Sequence, residues 1–262
     1  MDWAAQCAAV IPCLNEAAAI ETLLREVRRH LPAVIVVDDG SGDATAALAV
    51  RGGAEVLRHE RRRGKGAALQ TGLRRACERG FSWAVILDGD AQHWPNDIPA
   101  FLRCAEGTGA PLVIGNRMDD ARQMPWLRRQ VNRWMSCRLS RAAGCPLPDS
   151  QCGFRLIQLR RWTRLELKTR HFEIESELLM AFLAAGHAVE FVPIRVIYKT
   201  EQSKIHPLSD TWRWFRWLWT RRNLVPPARE GEAPAESQGS EIRHQRSENS
   251  RVTDLALLAS DL

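Results

Sequence analysis

Ala84-Val85-Ile86-Leu87 runs directly into Asp88-Gly89-Asp90. A buried parallel strand reads as an unbroken apolar run, and the ligand crevices of α/β sheets lie beyond the carboxyl ends of such strands. Both carboxylates therefore project into a cleft at a strand end. With only Gly89 between them they can face one hard divalent cation, and Mg²⁺ or Mn²⁺ takes a couple of carboxylates together with phosphate oxygens. The pattern implies a diphosphate-bearing substrate. An isolated Asp-Gly-Asp is also an ordinary polar turn, so the surrounding chain has to decide between the two.

Outward from this stretch, strands alternate with helices, the pattern of an α/β fold built on a mostly parallel sheet with helices on both faces. Ala8 to Ile11 opens the series. Asn15 precedes a helix in which Ile20, Leu23, Leu24 and Val27 repeat at helical spacing, ending before Pro32. Val34 to Val37 is the second strand, and a turn at Asp38 to Asp43 leads to a short helix through Arg51. A third strand near Glu55 to Leu57, a helix from about Gly66 to Arg79 and a fourth strand at Trp83 to Leu87 follow. Pro12, Asn15 and Glu16 follow the first strand, Asp38 and Asp39 the second, and Asp88 and Asp90 the fourth. Carboxylates from three strand ends thus converge on one sheet edge, which favours the metal over the turn. Asn15 and Glu16 also suit a helix cap, and Asp38 and Asp39 a turn and cap.

The chain of 262 residues has room for one sizeable α/β domain and a tail. From Pro226 onward Pro, Ala, Glu, Ser, Gln and Arg dominate, a composition that cannot bury a core, although Val252 to Leu262 suits a short helix on a partner. Seven cysteines at irregular spacing, with no Cys-x-x-Cys pair, predict neither a disulfide framework nor a zinc site and fit a reducing cytosol. No basic segment followed by a long apolar one opens the chain, and no run of about 18 apolar residues occurs, so a soluble or peripheral protein is expected. The net charge is +6 and the pI about 9.2. The arginines are spread over loops and helix faces without a nucleic-acid motif, so no nucleic-acid partner is expected; anionic lipid or phosphorylated substrates account for the bias.

Val10-Ile11-Pro12-Cys13-Leu14-Asn15-Glu16, Val36-Val37-Asp38-Asp39-Gly40-Ser41-Gly42-Asp43, Arg63-Gly64-Lys65-Gly66, Asp88-Gly89-Asp90-Ala91-Gln92-His93-Trp94-Pro95 and Ile114-Gly115-Asn116-Arg117 stand in a familiar order. Through them the N-terminal half resembles the family 2 glycosyltransferases. The resemblance implies a GT-A fold. It also implies that Pro12, Glu16 and Asp39 hold the nucleoside, that Asp88 and Asp90 handle ribose and metal, and that Gln92 stands where some members add a ligand. Asp149-Ser150-Gln151-Cys152-Gly153-Phe154-Arg155, Phe172-Glu173-Ile174-Glu175, Val192-Pro193-Ile194 and Ser203-Lys204 resemble the branch that uses polyprenyl phosphates, such as dolichyl-phosphate glucosyl- and mannosyltransferases. Tyr198 and Lys199 stand where dolichyl-phosphate mannose synthases tend to place an arginine. The organisation expected is a catalytic domain over 1–207, a Trp- and Arg-rich amphipathic helix over 208–225 and a disordered tail over 226–262.

The chemistry follows from the residue types. As a nucleoside diphosphate leaves, charge develops on its oxygens while the anomeric carbon becomes oxocarbenium-like. Asp90 would hold the metal, Asp88 and Asp39 orient ribose and base, Asn15 joins the nucleotide group, and Lys65 either adds positive charge near the phosphates or is solvated surface. A phosphate-monoester acceptor has a second pKa of about 6, is largely dianionic at neutral pH and needs no strong base. It needs cations that hold two anionic reactants together, with candidates Arg117, Arg133, Arg155, Lys199 and Lys204. A hydroxyl acceptor would need a base, for which Asp149, Glu173 and Glu175 are the candidates. The expected protein is a metal-dependent glycosyltransferase, inverting by resemblance. It moves a hexose from UDP-glucose or GDP-mannose to a polyprenyl phosphate at the cytosolic membrane face. Transfer to a hydroxyl and a catalytically inactive membrane adaptor are the alternatives, and a homo-oligomer is compatible with each.

Ten tryptophans accompany one tyrosine, and four of them fall between Trp212 and Trp219. On a helix, at about 100° per residue, Trp212, Trp214, Phe215, Leu218 and Trp219 share an arc. Arg213, Arg216 and Arg221 lie opposite, with Trp217 among them. This reads as an interfacial membrane helix, tryptophan at the headgroup level and arginine against anionic lipid. The alternative is that the aromatic face packs on the catalytic domain or on a second protomer.

Overall fold

The computed structural model describes residues 1–118, 124–197, 213–214 and 216–218. A short helix, Trp3–Gln6 (α1), leads into β1, Cys7–Cys13, which is buried at every position. The helix Ile20–Val27 (α2) buries Ile20, Leu23, Leu24 and Val27, the stripe expected from its spacing. It starts later than Asn15, and its N-cap, Ala19, makes no side-chain capping bond. Asn15 and Glu16 are therefore not its cap; Asn15 sits in the left-handed region at φ 53° and is tied to the next loop instead. There follow β2 (Val34–Asp38), α3 (Thr45–Arg51), β3 (Glu55–Arg58), α4 (Lys65–Glu78) and β4 (Trp83–Ile86), close to the sequence expectation. A 3-10 turn at Pro95–Asp97, α5 (Ile98–Thr108), β5 (Leu112–Asn116), α6 (Trp126–Ala143), β6 (Arg155–Gln158), α7 (Leu159–Trp162), α8 (Ile174–Ala184) and β7 (Val189–Pro193) complete the described elements.

The strands form one sheet in the order β3-β2-β1-β4-β6-β5-β7. β1 pairs in parallel with β2 and β4, β2 with β3, and β5 with β7. Parallel neighbours require a crossover, and the helices between these strands supply it while covering the Val- and Ile-rich runs. Cys13 pairs with Asp38, so the loops after β1 and β2 leave the sheet at one level. β6 runs antiparallel to both β4 and β5. An antiparallel strand begins where its parallel neighbours end. With Ile86 opposite Arg155, the residues just before β6 therefore arrive at the edge from which Asp88 projects.

Residues 213–214 and 216–218 are helical. Trp214 is 2% and Trp217 6% exposed. The Trp214 ring lies 5.5 Å from that of Trp134 and its Nε1 donates to Ser176 Oγ at 2.9 Å. Trp214 thus packs on α6 and α8, as in the alternative of an aromatic face set against the catalytic domain, and Trp217, placed among the arginines, is buried. Tyr198, Lys199, Ser203, Lys204, Trp212, Phe215, Trp219, Arg221 and the tail over 226–262 lie outside the described residues. Among the described residues no helix is long and apolar enough to cross a membrane.

Candidate active site

The loops after β1 and β2 are stitched together by short polar side chains. Asn15 N–H donates to Ser41 Oγ at 2.9 Å, Gly42 N–H to Asn15 Oδ1 at 2.9 Å and Glu16 N–H to Thr45 Oγ1 at 2.7 Å. Asp38 is fully buried, accepting from Ser41 N–H at 3.0 Å and facing Arg58 Nε at 3.1 Å. Asp39 accepts from the N–H groups of Arg63 and Gly64 at 2.9 and 2.7 Å. His59 Nδ1–H also donates to it at 2.7 Å, while His59 Nε2 lies 3.1 Å from Thr71 Oγ1. Sequence reasoning missed His59. The only signal is its place at the end of β3, beside a strand whose end was already marked by two aspartates.

Gly89 brings the β4 loop against this platform. A Cβ there would stand 2.6 Å from Cys13 Sγ and 3.1 Å from Glu16 Cγ, so only glycine lets Asp88 and Asp90 lie beside Pro12 to Glu16. Ala91 adopts φ 54°, a left-handed conformation that costs a side-chain-bearing residue about 1–2 kcal/mol. The bond from Gln92 N–H to Asp90 Oδ1 at 3.0 Å closes that turn.

Lys65, expected either near phosphate or in solvent, is largely buried beside the carboxylate pair. Its Nζ sits 2.6 Å from Asp88 Oδ1 and 2.7 Å from Glu175 Oε1, beneath the Phe172 ring at 5.6 Å. Burial alone would lower the Lys65 pKa, but the charges of Asp88 and Glu175 raise it well above the usual lysine value. Burial likewise works against ionised Asp88, and the Lys65 charge, with His93 and Arg117 beyond it, brings that carboxyl down to about 2. Asp90 moves the other way, raised by burial and then by the Asp88 charge. One carboxylate held ionised beside another that resists ionisation is an arrangement that a divalent cation relieves. Among the described residues no group of three or more His, Cys, Asp and Glu side chains is placed to hold a metal. A pair of carboxylates suits an ion that completes its shell with phosphate oxygens.

Gly153, just before β6, abuts the same pair. A Cβ on it would lie 2.7 Å from Asp88 Oδ2 and 3.1 Å from Lys65 Nζ. Gly153→Ala is expected to push Asp88 aside and lower kcat/KM about tenfold with the far-UV spectrum unchanged, since a misplacement of about 1 Å near a reacting group has effects of this size or more. Wild-type kcat/KM in that variant would show that Asp88 does not need its present position.

Of the remaining candidates, Arg117, Asp149, Arg155 and Glu173 have polar or charged partners inside the protein. Arg117, 6% exposed, grips fully buried Asp149 through Nε at 2.7 Å and Nη2 at 2.8 Å, and its backbone N–H adds a third bond at 3.1 Å. Burial opposes the ionised Asp149, but Arg117 holds its carboxyl below the usual range. Arg155, 1% exposed, donates to the carbonyls of Cys152, Ser150 and Glu175 at 2.8, 3.0 and 2.6 Å, bolting the loop before β6 to the start of α8. Glu173 faces Arg213 at 3.6 Å. Arg133 is exposed on α6. A polar line that the sequence did not reveal joins Gln151 Nε2 to Ser176 Oγ at 2.8 Å and Ser176 to Trp214. His93 is 4% exposed against Phe154, and burial pulls its pKa down to about 4.

A parallel half-sheet, a carboxylate pair after its fourth strand and one reversed strand beside it make a GT-A-like α/β fold. Residues 8–161 match glycosyl transferase family 2, and the chain belongs to that family. It is 29% identical over 217 residues to the UDP-N-acetylglucosamine–dolichyl-phosphate N-acetylglucosaminyltransferase of Methanococcus voltae, covering 74% of this chain and 86% of that protein. It is 27% identical over 199 residues to the polyprenol monophosphomannose synthase of Mycolicibacterium smegmatis, covering 71% and 75%. Among solved structures, glucosyl-3-phosphoglycerate synthase from Mycobacterium tuberculosis with Mn²⁺ and UDP-glucose has the same fold, with a TM-score of 0.67 at 23% identity over 85% of this chain and 80% of that one.

Proposed function

We propose that this glycosyltransferase moves a hexose from a nucleotide sugar to a polyprenyl phosphate at the cytosolic membrane surface, with inversion. The observation that carries the acceptor class is that each carboxylate considered as a base already faces a cation. Asp149 is held by Arg117, Glu175 by Lys65, and Glu173 faces Arg213. A hydroxyl acceptor needs a group to take its proton, whereas a phosphate monoester arrives ionised. The names of the Methanococcus and Mycolicibacterium relatives support the same acceptor, and the donor seen in the solved fold neighbour supports a UDP-sugar alongside GDP-mannose.

Asp90 and Asp88, with Gln92 beside them, would hold Mg²⁺ or Mn²⁺, which when bound offsets the charge developing on the departing diphosphate. Asp39, kept rigid by His59 and two backbone N–H groups, orients the base, with Pro12, Asn15 and Glu16 framing the nucleoside. Lys65 fixes the carboxylate of Asp88. Arg117, pre-set by Asp149, supplies positive potential on the acceptor side, and Arg155 holds the loop that carries Asp149.

Calorimetric titration with UDP-glucose, GDP-mannose and their free diphosphates, in Mn²⁺ and then in EDTA, followed by transfer of labelled hexose to a short polyprenyl phosphate, tests this reading. Metal-dependent binding of one nucleotide and a labelled lipid product are expected. Transfer to a saccharide hydroxyl in place of the lipid phosphate would replace the acceptor, and a folded protein that binds no nucleotide would remove the reading.

A further inference from the structure

We infer that the outward face of α6 is a docking surface for anionic phospholipid. The inner face of α6 buries Asn132, Met135, Ser136 and Leu139. On the opposite arc Trp126 and Leu127 are 66% and 65% exposed, Trp134 41% and Val131 36%. A cluster of large apolar side chains in water marks an interaction site more often than chance.

The charge pattern selects the occupant. Trp126–Ala143 contains five arginines and no aspartate or glutamate. Arg133, Arg138 and Arg141 are exposed on the same arc as the tryptophans. At about 100° per residue Arg138 falls midway between Leu127 and Val131, roughly 20° from each. A protein interface also takes tryptophan and arginine, but arginines with no carboxylate among them on the helix call for a partner that carries dense negative charge of its own. The headgroup region of a bilayer accepts both kinds of group side by side, tryptophan and leucine entering the interface while arginine meets lipid phosphate. The surface also lies next to the acceptor side of the cleft. Ser136, on the inner face of α6, accepts from Ser150 N–H at 2.9 Å, one residue from Asp149. A helix is about 10 Å across, so the outward face lies on the order of 10 Å beyond that contact.

The inference rests on the proposed membrane-linked acceptor for its purpose, but its test is independent of transfer. Full-length protein is floated with vesicles of phosphatidylglycerol and phosphatidylcholine, and with phosphatidylcholine alone. Preferential binding to the anionic vesicles is expected. Trp126→Ser with Leu127→Ser should weaken it about tenfold, and Arg138→Gln with Arg141→Gln should flatten its salt dependence. All four side chains are exposed, so calorimetric binding of donor nucleotide should be unchanged and serves as the folding control. Vesicle binding that survives the Trp126/Leu127 change overturns the inference, because another segment of the chain is then the anchor. So does a wild-type dimer, seen by light scattering, that becomes a monomer in that variant, because a second copy is then the occupant. Wild-type protein that ignores anionic vesicles but transfers hexose to a polyprenyl phosphate in detergent overturns the surface and leaves the function standing. Vesicle binding lost in the variant, with no lipid product from the wild type, supports the surface and removes the acceptor.

Discussion

Asp90→Asn is expected to lower hexosyl transfer about 10²–10³-fold, the scale seen when one group that stabilises developing negative charge is removed. The change is nearly isosteric, and the bond from Gln92 N–H has an amide oxygen to receive it. The site should therefore keep its shape and lose its charge. Because burial and Asp88 raise the Asp90 pKa, the ionised form is less stable in the folded chain than in the unfolded one. That penalty is present at neutral pH and the amide removes it, so the thermal midpoint measured in EDTA should stay or rise. Steady-state transfer with Mn²⁺ and a melt without it check both halves. Undiminished transfer would exclude Asp90 as a metal ligand, and a large fall in midpoint would show that its carboxylate serves the fold instead.

Arg117→Gln is expected to cost about 3–5 kcal/mol of stability, since it strands the charge of buried Asp149. Asp149→Asn should act in the same direction by leaving Arg117 uncompensated. Arg117→Met combined with Asp149→Leu should recover much of the loss, because two apolar groups leave no orphan charge. Urea unfolding of the two single variants and the double one checks this, and losses that simply add would contradict it. The same buried charges set the acid response. Depressed carboxyl pKa values add stability at neutral pH that is lost as pH falls through the folded values. For Asp88 that window runs from 3.8 down to about 2, and Asp149 falls in the same direction. His93, neutral in the folded chain, begins the loss earlier, between 6.5 and about 4. The urea midpoint should thus slip gently below pH 6.5 and drop steeply below pH 4. A midpoint flat down to pH 4 would mean that His93 is not buried in the neutral form.

The strands β1, β2 and β4 and the carboxylates at their ends were legible because a strand covered on both faces must be apolar throughout, and the first polar residues after it must face the crevice. The stripe of α2 was legible for the related reason that burial on one side imposes a helical period. Arg155-Leu156-Ile157-Gln158 reads the same in either direction, so the reversal of β6 that carries Gly153 to Asp88 had no local sign. The burial of Trp217 had none either, since a helical period shows which residues share a face and not which face is covered.

The sequence by itself determined the class of fold, the family and the residues able to do chemistry at the sheet edge, because these depend on local apolar runs and on short motifs. Only the tertiary structure decided which charges meet: Lys65 with Asp88 and Glu175, Arg117 with Asp149, Asp39 with His59. Those pairings join residues far apart in the chain. Ion pairs and hydrogen bonds act over a few ångströms of space, and sequence separation carries no information about that distance.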